Sequence, residues 1–507
     1  MPRTVTTHPN VDNTAFVTVR SVPIGATTDA TTARFPVAAA NRDGGKGTLP
    51  SNFIAGALPE IVAEITTDGD DRSARGIAAV IGRMISAGSL TDGTRLPTVR
   101  DLARRLGVSP TTVSDAWRSL ADVGAIETRG RNGTLVRQPK GPGQPRRYRR
   151  VTEGPGHFEL DLSSGTPDPA LLPDLGPIIA RMSRQSLTSS YLDHPVLPEL
   201  EAVLTERWPF PPEAMTVVDG AMNALDRVAQ YVLRLGDRVA VEHPTFPPML
   251  DLLEQLGCEV IAIDVDADGL TVEGLREAVR RRPRALFLQP RAHNPTGVAV
   301  SLLRAEALAE VLRGTDVIIV EDDHSNEISA APLVSLGRWL PMQTIHIRSF
   351  SKSHGPDLRL AAVGGAGDIV SAIANRRLLG PGWSSRILQS VLLELLRDPA
   401  TGDSLAHARA SYAARRSVVS QVLTDGGVSH PDGDGINLWM RVADERRALL
   451  RLAACGIGVA PGGPFMVRPD GDHVRVTVGL VNESDAERVG ELLVDASGRL
   501  ASSSSGR

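Results

Sequence analysis

Apolar residues recur along this chain at two different spacings, and the change of spacing divides it. In 72–88, RSARGIAAVIGRMISAG, the residues Ile77, Val80, Ile81, Met84 and Ile85 fall at the three- and four-residue intervals of an amphipathic helix. Two short helices are predicted next. Thr98, with Asp101 three residues on, caps the first, and Gly107 closes it. Ser109 caps the second, Pro110 takes its first position and Gly124 ends it. Ile126–Thr128 and Thr134–Val136 flank Asn132-Gly133 and read as a hairpin. From about residue 158 the pattern is different. Strand-like runs (VAVEHP, VIAIDV, ALFLQP, VIIVEDD, TIHIRSF) alternate with helical stretches, as in an α/β domain with a mainly parallel sheet.

The remaining segments lack such patterns. Residues 1–70 are rich in Thr, Ala, Gly and Asp with weak periodicity, and are expected to be a mostly disordered extension. Within them, SNFIAGALPEIVAEI (51–65) has helical spacing but no indicated packing partner. Residues 139–157 begin PKGPGQPRRYRR and read as a basic Pro/Gly linker; 498–507 read as a disordered tail. Two folded domains are therefore expected, at 71–138 and 158–497. No run of 18 apolar residues suggests a membrane span, and no signal segment is evident, so a cytoplasmic location and no membrane contact are expected. Cys258 and Cys455 lack metal-ligand spacing, and no metal site is expected.

Charge sharpens this division. The chain carries −4 overall, but residues 72–150 alone hold 16 Lys+Arg against 5 Asp+Glu. Such a block suits a polyanionic partner, although a solvated basic surface would look the same. Two short helices across a tight turn, followed by a hairpin, make a winged helix-turn-helix. Its second helix would enter the major groove of double-stranded DNA. That helix, starting after Ser109, would present Thr111, Thr112, Ser114, Asp115 and Arg118, and the hairpin would bring Arg129 and Arg131 to backbone or minor groove. A winged helix used only for protein contacts is the plainer alternative.

Lysine usage singles out one residue. Of 55 basic residues only Lys46, Lys140 and Lys352 are lysines, so Lys352 is alone after position 140. Lysine can form a Schiff base where arginine cannot. Lys352 lies in SFSKSHGPDLRL, just beyond the strand TIHIR, where open α/β sheets bind ligands. The spacing S-x-S-K-x6-R suits pyridoxal 5′-phosphate: Lys352 for the aldehyde, and Ser349, Ser351 and Arg359 for the phosphate. Other segments supply complementary groups. Asp322 could pair with the pyridine nitrogen, and Asn294 of HNPTG could donate to the ring oxygen. Gly220, Ala221 and Met222 stand at a likely helix start able to hold phosphate, and Phe246 could stack on the ring. Each has a plainer reading: an acidic strand end, an Asn-Pro turn, a glycine cap and a core aromatic.

LPTVRDLA, LGVSPTTV and the wing resemble the GntR family of bacterial regulators over about 65 residues. That resemblance implies a phosphate contact for Arg100 and DNA contacts for Thr111 and Thr112. Pro110 and Ser114 stand where many members carry arginines. Taken in order, the later motifs resemble fold-type I, class I/II aminotransferases over nearly all of 158–495. The combination, an α+β winged helix-turn-helix followed by an α/β fold-type I domain, resembles the MocR regulators. It implies that Tyr191 reaches the neighbouring subunit's phosphate in a homodimer and that Arg475 grips a carboxylate. His324 departs from the tyrosine usual near the ring oxygen. The expected function is a regulator of operator DNA that senses pyridoxal phosphate, or a small amino compound or amino acid. The alternatives are a working aminotransferase with an accessory DNA-binding domain, or a scaffold that has lost the cofactor. The intact Lys352, Asp322, Asn294 and Arg359 argue against the last.

Overall fold

The computed structural model describes residues 57–67, 71–86, 89–91, 93–122, 125–128, 133–136, 145–152, 158–181, 190 and 193–498. The N-terminal part is a winged helix. It comprises α1 (Ala57–Thr67), α2 (Ala74–Ser86), α3 (Val99–Leu106), α4 (Pro110–Asp122), β1 (Ile126–Thr128) and β2 (Thr134–Val136). The predicted caps are present. Asp101 N–H donates to Thr98 Oγ1 at 3.2 Å, and Gly107 adopts φ +69 at the end of α3. Thr112 N–H donates to Ser109 Oγ at 3.1 Å. The hairpin pairs Ile126 with Val136 and Thr128 with Thr134. Gly124 and Asn132 lie outside the described residues. The five apolar residues of α2 are all buried in one core with Leu102, Leu106, Val113, Trp117 and Leu120.

Two segments go beyond expectation. α1 overlaps 51–65, the stretch of the expected extension that has helical spacing but no indicated packing partner. Its Ile61 and Ile65, one turn apart, are fully buried in the winged-helix core. A single stripe on an 11-residue helix gives a weak periodic signal and becomes stable only against a partner. The expected linker contains α5 (Arg146–Thr152), which docks on the domain that follows it.

That domain is built on an eight-stranded sheet in the order β4-β11-β10-β9-β8-β5-β6-β7. The strands are β4 (Ala214–Val218), β5 (Arg238–His243), β6 (Glu259–Asp266), β7 (Gly269–Leu270), β8 (Ala285–Leu288), β9 (Ile318–Asp323), β10 (Thr344–Ser349) and β11 (Ala361–Gly365). Strands β10, β9, β8, β5 and β6 are mutually parallel, and β11 runs against both neighbours. The five strand-like runs in the sequence are these five parallel strands. Helices α6 (Leu175–Arg181), α7 (Pro198–Glu206) and α13 (Arg386–Arg397) share one core with the sheet. α8 (Ala221–Val232), α9 (Pro247–Gln255) and α12 (Gly367–Arg377) share a second, and α10 (Val272–Arg280) and α11 (Leu302–Leu312) a third. A smaller sheet, β12-β14-β13-β3, combines β3 (Leu160–Leu162), β12 (Leu438–Val442), β13 (Ile457–Pro461) and β14 (Asp472–Val476). It packs with α14 (Pro399–Asp425), α15 (Glu445–Ala454) and α16 (Ala486–Ser497). Among the described residues no helix is long and apolar enough to cross a membrane.

Because Ile61 is fully buried, Ile61→Ala should lower the unfolding free energy of the winged helix by about 2–5 kcal/mol. Denaturant melts of full-length protein check this, and an unchanged midpoint would detach α1 from that core.

Candidate functional site

The parallel strands end on one edge of the sheet, and a cavity of about 250 Å³ opens there. It gathers Ala221, Met222, Phe246, Asn294, Asp322, His324, Ser349, Ser351, Lys352, Arg359 and Arg475 from across the domain. Tyr191 lies outside the described residues.

One end of the cavity is rich in donors. Gly220 caps α8 at φ +96, which an L side chain rarely adopts, and an added Cβ would sit 3.2 Å from the Arg359 guanidinium. The first-turn amides of Ala221 and Met222 have no intrahelical acceptor. Arg359 itself holds φ +48, uncommon for a non-glycine residue. Ser349 ends β10, and Ser351 N–H reaches Ser349 Oγ at 3.4 Å.

Lys352, His324 and Asp322 occupy the centre. Lys352 Nζ lies 2.5 Å from His324 Nδ1. Burial lowers the Lys352 amine to about 8, while the Asp322 charge works the other way. Burial, then the Lys352 charge, holds His324 well below the ordinary imidazole value. The ammonium therefore donates to Nδ1, and the neutral ring carries its hydrogen on Nε2, which is buried and makes no well-formed hydrogen bond among the described residues. Asp322 is pushed up to about 6 by burial. Its Oδ2 accepts from Gln289 Nε2 at 2.8 Å, while Oδ1 is buried without a partner among the described residues.

Gln289, absent from the sequence-based set, is a clamp. Its Oε1 accepts from Asn294 N–H at 2.8 Å, so one side chain fixes both Asp322 and Asn294. Its own N–H donates at 2.8 Å to Glu242, a carboxyl that burial raises well above its usual range.

At the far end, Arg475 on β14 is buried. Its Nη1 donates to Asn294 Oδ1 at 3.3 Å, its Nη2 to the Ser163 carbonyl, and its Nε has no partner among the described residues. Phe465 lies 5.2 Å under the guanidinium. Burial lowers Arg475 to about 10, still charged at neutral pH. Gly165, at φ +68, leaves the room: a Cβ there would meet Nη1 at 2.9 Å.

On the winged helix, Arg100, Thr111 and Arg118 are exposed, and Thr112 and Ser114 are half-buried. Ser109 Oγ is occupied by the α4 cap, and Arg118 pairs with Asp115 at 2.9 Å. Arg129 and Arg131 lie outside the described residues. Arg147, grouped by sequence with the basic linker, is engaged by the domain that follows: its guanidinium pairs with Glu254 at 3.0 Å. Gln289, Phe465 and Tyr148 were missed because a glutamine, a phenylalanine and a tyrosine carry no spacing signal. Gln289 does end the run ALFLQP just before HNPTG, which was the available clue.

A winged helix-turn-helix on an aminotransferase fold defines a class, the DNA-binding regulators with an aminotransferase-like domain. Residues 73–136 match the family of bacterial regulatory proteins, gntR family, and 159–492 match aminotransferase class I and II. The chain belongs to the MocR-type transcriptional regulators, which join these two domains. It is 36% identical to the vitamin B6 salvage pathway transcriptional repressor PtsJ of Salmonella typhimurium, over 82% of this chain and 96% of that one. It is 28% identical to the pyridoxine biosynthesis regulator PdxR of Corynebacterium glutamicum, over 68% and 77%. The α-aminoadipate aminotransferase LysN of Thermus thermophilus shares the fold, at TM-score 0.63 and 23% identity over 70% of this chain and 95% of that one.

Proposed function

We propose that this regulator binds pyridoxal 5′-phosphate at Lys352 and that occupancy of the cavity sets its affinity for operator DNA. One observation carries the reading: the only lysine of the domain lines a cavity with Asp322 and His324, whose buried Oδ1 and Nε2 make no well-formed hydrogen bond among the described residues. Buried polar atoms without partners are rare, and a ligand with a protonated ring nitrogen and a ring oxygen would satisfy both. Asp322 would hold the ring nitrogen. His324 Nε2 would donate to the ring oxygen, in place of the tyrosine expected there. Asn294, whose Oδ1 is engaged by Arg475, turns its NH2 the other way and would donate alongside. The Ala221 and Met222 amides, Ser349, Ser351 and Arg359 would hold the phosphate. Phe246 would lie on the ring. When bound, the cofactor supplies an aldehyde for the lysine and an electron-withdrawing ring.

Two relatives named for vitamin B6 salvage and pyridoxine biosynthesis support pyridoxal phosphate itself as the signal. A second signal, an amino acid, is favoured by Arg475, a buried guanidinium that lines the same cavity. Control of DNA requires the ligand to favour one protein state over another, because equal affinity for both shifts nothing. A homodimer suits the paired half-sites that helix-turn-helix proteins read. Appreciable turnover of amino donors, with operator affinity indifferent to ligand, would move the aminotransferase reading to the front.

Two measurements test this. The neutral amine is the nucleophile, so loading of pyridoxal phosphate should quicken about tenfold per pH unit below 8 and level off above it, following the lowered Lys352. Stopped-flow absorbance from pH 6 to 10 reads this. A rate still climbing at pH 10 means an unperturbed amine, and Lys352→Ala that bound covalently like wild type would reject the assignment. In DNA titrations against salt, Arg100→Ala should reduce the log–log slope by about 0.9 on any sequence. Arg147→Ala should leave it unchanged, because that guanidinium is held by Glu254.

A further inference from the structure

Helix α5 sits between the two domains in sequence, yet it forms part of the cavity wall. Tyr148 and Val151 line the same space as Lys352 and Arg475. The helix has seven residues, too few to hold together alone, so its conformation depends on what it docks against. That docking has two anchors.

The first anchor is Asp251, a buried carboxylate on α9. Its Oδ1 accepts from Arg147 N–H at 3.1 Å and its Oδ2 from Tyr148 N–H at 2.9 Å, so one side chain satisfies two first-turn amides of α5. Arg147 adds its ion pair to Glu254, one turn further along α9. The residue that caps α9 is Phe246, itself a cavity wall. The second anchor is Val151, buried against Trp439 and Phe465. Phe465 is the ring under Arg475. Each anchor is therefore tied to a cavity-wall group: Asp251 through α9 to Phe246, and Val151 directly to Phe465. Tyr148 is 44% exposed, which places it at the cavity's edge rather than in the core.

We propose that α5 is both a ligand-binding wall and the transmitter of the signal: a molecule in the cavity contacts Tyr148 and shifts the docking of α5, and through it the tether of the winged helix. This rests on the function proposed above. The physical basis is a short element that owes its fold to its docking, of the kind from which switching segments are drawn. A ligand needs only a modest difference in affinity between docked and undocked α5 to change operator affinity severalfold. The proposal also gives Tyr148 a part in selectivity, because the outer portion of any amino compound held by Arg475 would face it.

The test uses full-length protein with pyridoxal 5′-phosphate as the probe. Its affinity is read by absorbance, and operator affinity is measured with and without it. Asp251→Ala removes the acceptor of both α5 amides without touching the cavity. We expect pyridoxal phosphate still to bind, its affinity shifted by no more than the severalfold coupling itself, while the ratio of operator affinities falls from its wild-type value to near one. An unchanged ratio would overturn the proposal and leave the proposed function standing. A wild-type ratio of one would instead remove control by this cofactor. If Asp251→Ala folds poorly, amide hydrogen exchange on the unmutated protein decides. Exchange across 145–152 should change severalfold when pyridoxal phosphate binds. Identical exchange, with binding confirmed by absorbance, would exclude α5 as the transmitter.

Discussion

Strand β9 carries three consecutive carboxylates, Glu321, Asp322 and Asp323, into the interior, none more than 5% exposed. Isolated buried charge is prohibitively costly, so the surrounding structure is organised by the need to answer it. Glu321 accepts from Ser335 Oγ at 2.6 Å and Leu336 N–H at 2.7 Å, and contacts His346 Nδ1 at 2.8 Å. Asp323 faces the same side of the strand. Burial works against its charge, but the paired guanidinium of Arg291 prevails and holds it below the usual carboxylate range. Asp323 also accepts from Asn326 N–H at 3.1 Å, fixing the turn after the strand. The alternation of a strand then sends Asp322 alone to the opposite face, toward the cavity, with one oxygen satisfied and one not. The unsatisfied oxygen is therefore not a packing accident: two neighbours on the same strand are fully provided for.

That contrast explains what was legible in the sequence. Caps, the hairpin and the five parallel strands depend on local chemistry and short periods, which Thr98, Ser109 and the runs ending at His243 and Ser349 display openly. Lys352 was legible because it is the only lysine after position 140 and has a recognisable spacing to Arg359. Residues whose role comes from three-dimensional convergence were not. Gln289 acts by bridging Asp322 to Asn294, and that bridge, unlike its two partners, has no signal in the chain. β11, AAVGG, has small residues and no alternation, and becomes a strand only because β4 and β10 flank it. α5 was hidden by its composition: four arginines beside Pro and Gly resemble a tether, and the groups that dock it, Asp251 first among them, come about a hundred residues or more later.

The two halves of the chain handle charge in opposite ways. The winged helix keeps Arg100, Arg104, Arg105 and Arg118 on its surface, where their field reaches outward. The aminotransferase-like domain takes arginine inside: Arg291, Arg348, Arg377, Arg416 and Arg475 are all buried. In each setting the residue type is the same and burial decides its part. On the surface a guanidinium serves a phosphate backbone. In the interior it locks turns and strand ends, or waits at the cavity edge.

The burial of α1 has a practical corollary for anyone dissecting this chain. Its Ile61 and Ile65 fill a groove floored by residues of the winged helix. A fragment cut at residue 71, where the sequence pattern begins, would leave that groove open to water as a sticky stripe. Such a piece would be prone to self-association, and its behaviour on DNA could reflect clumping more than recognition. A minimal DNA-binding fragment should therefore begin upstream of Ala57.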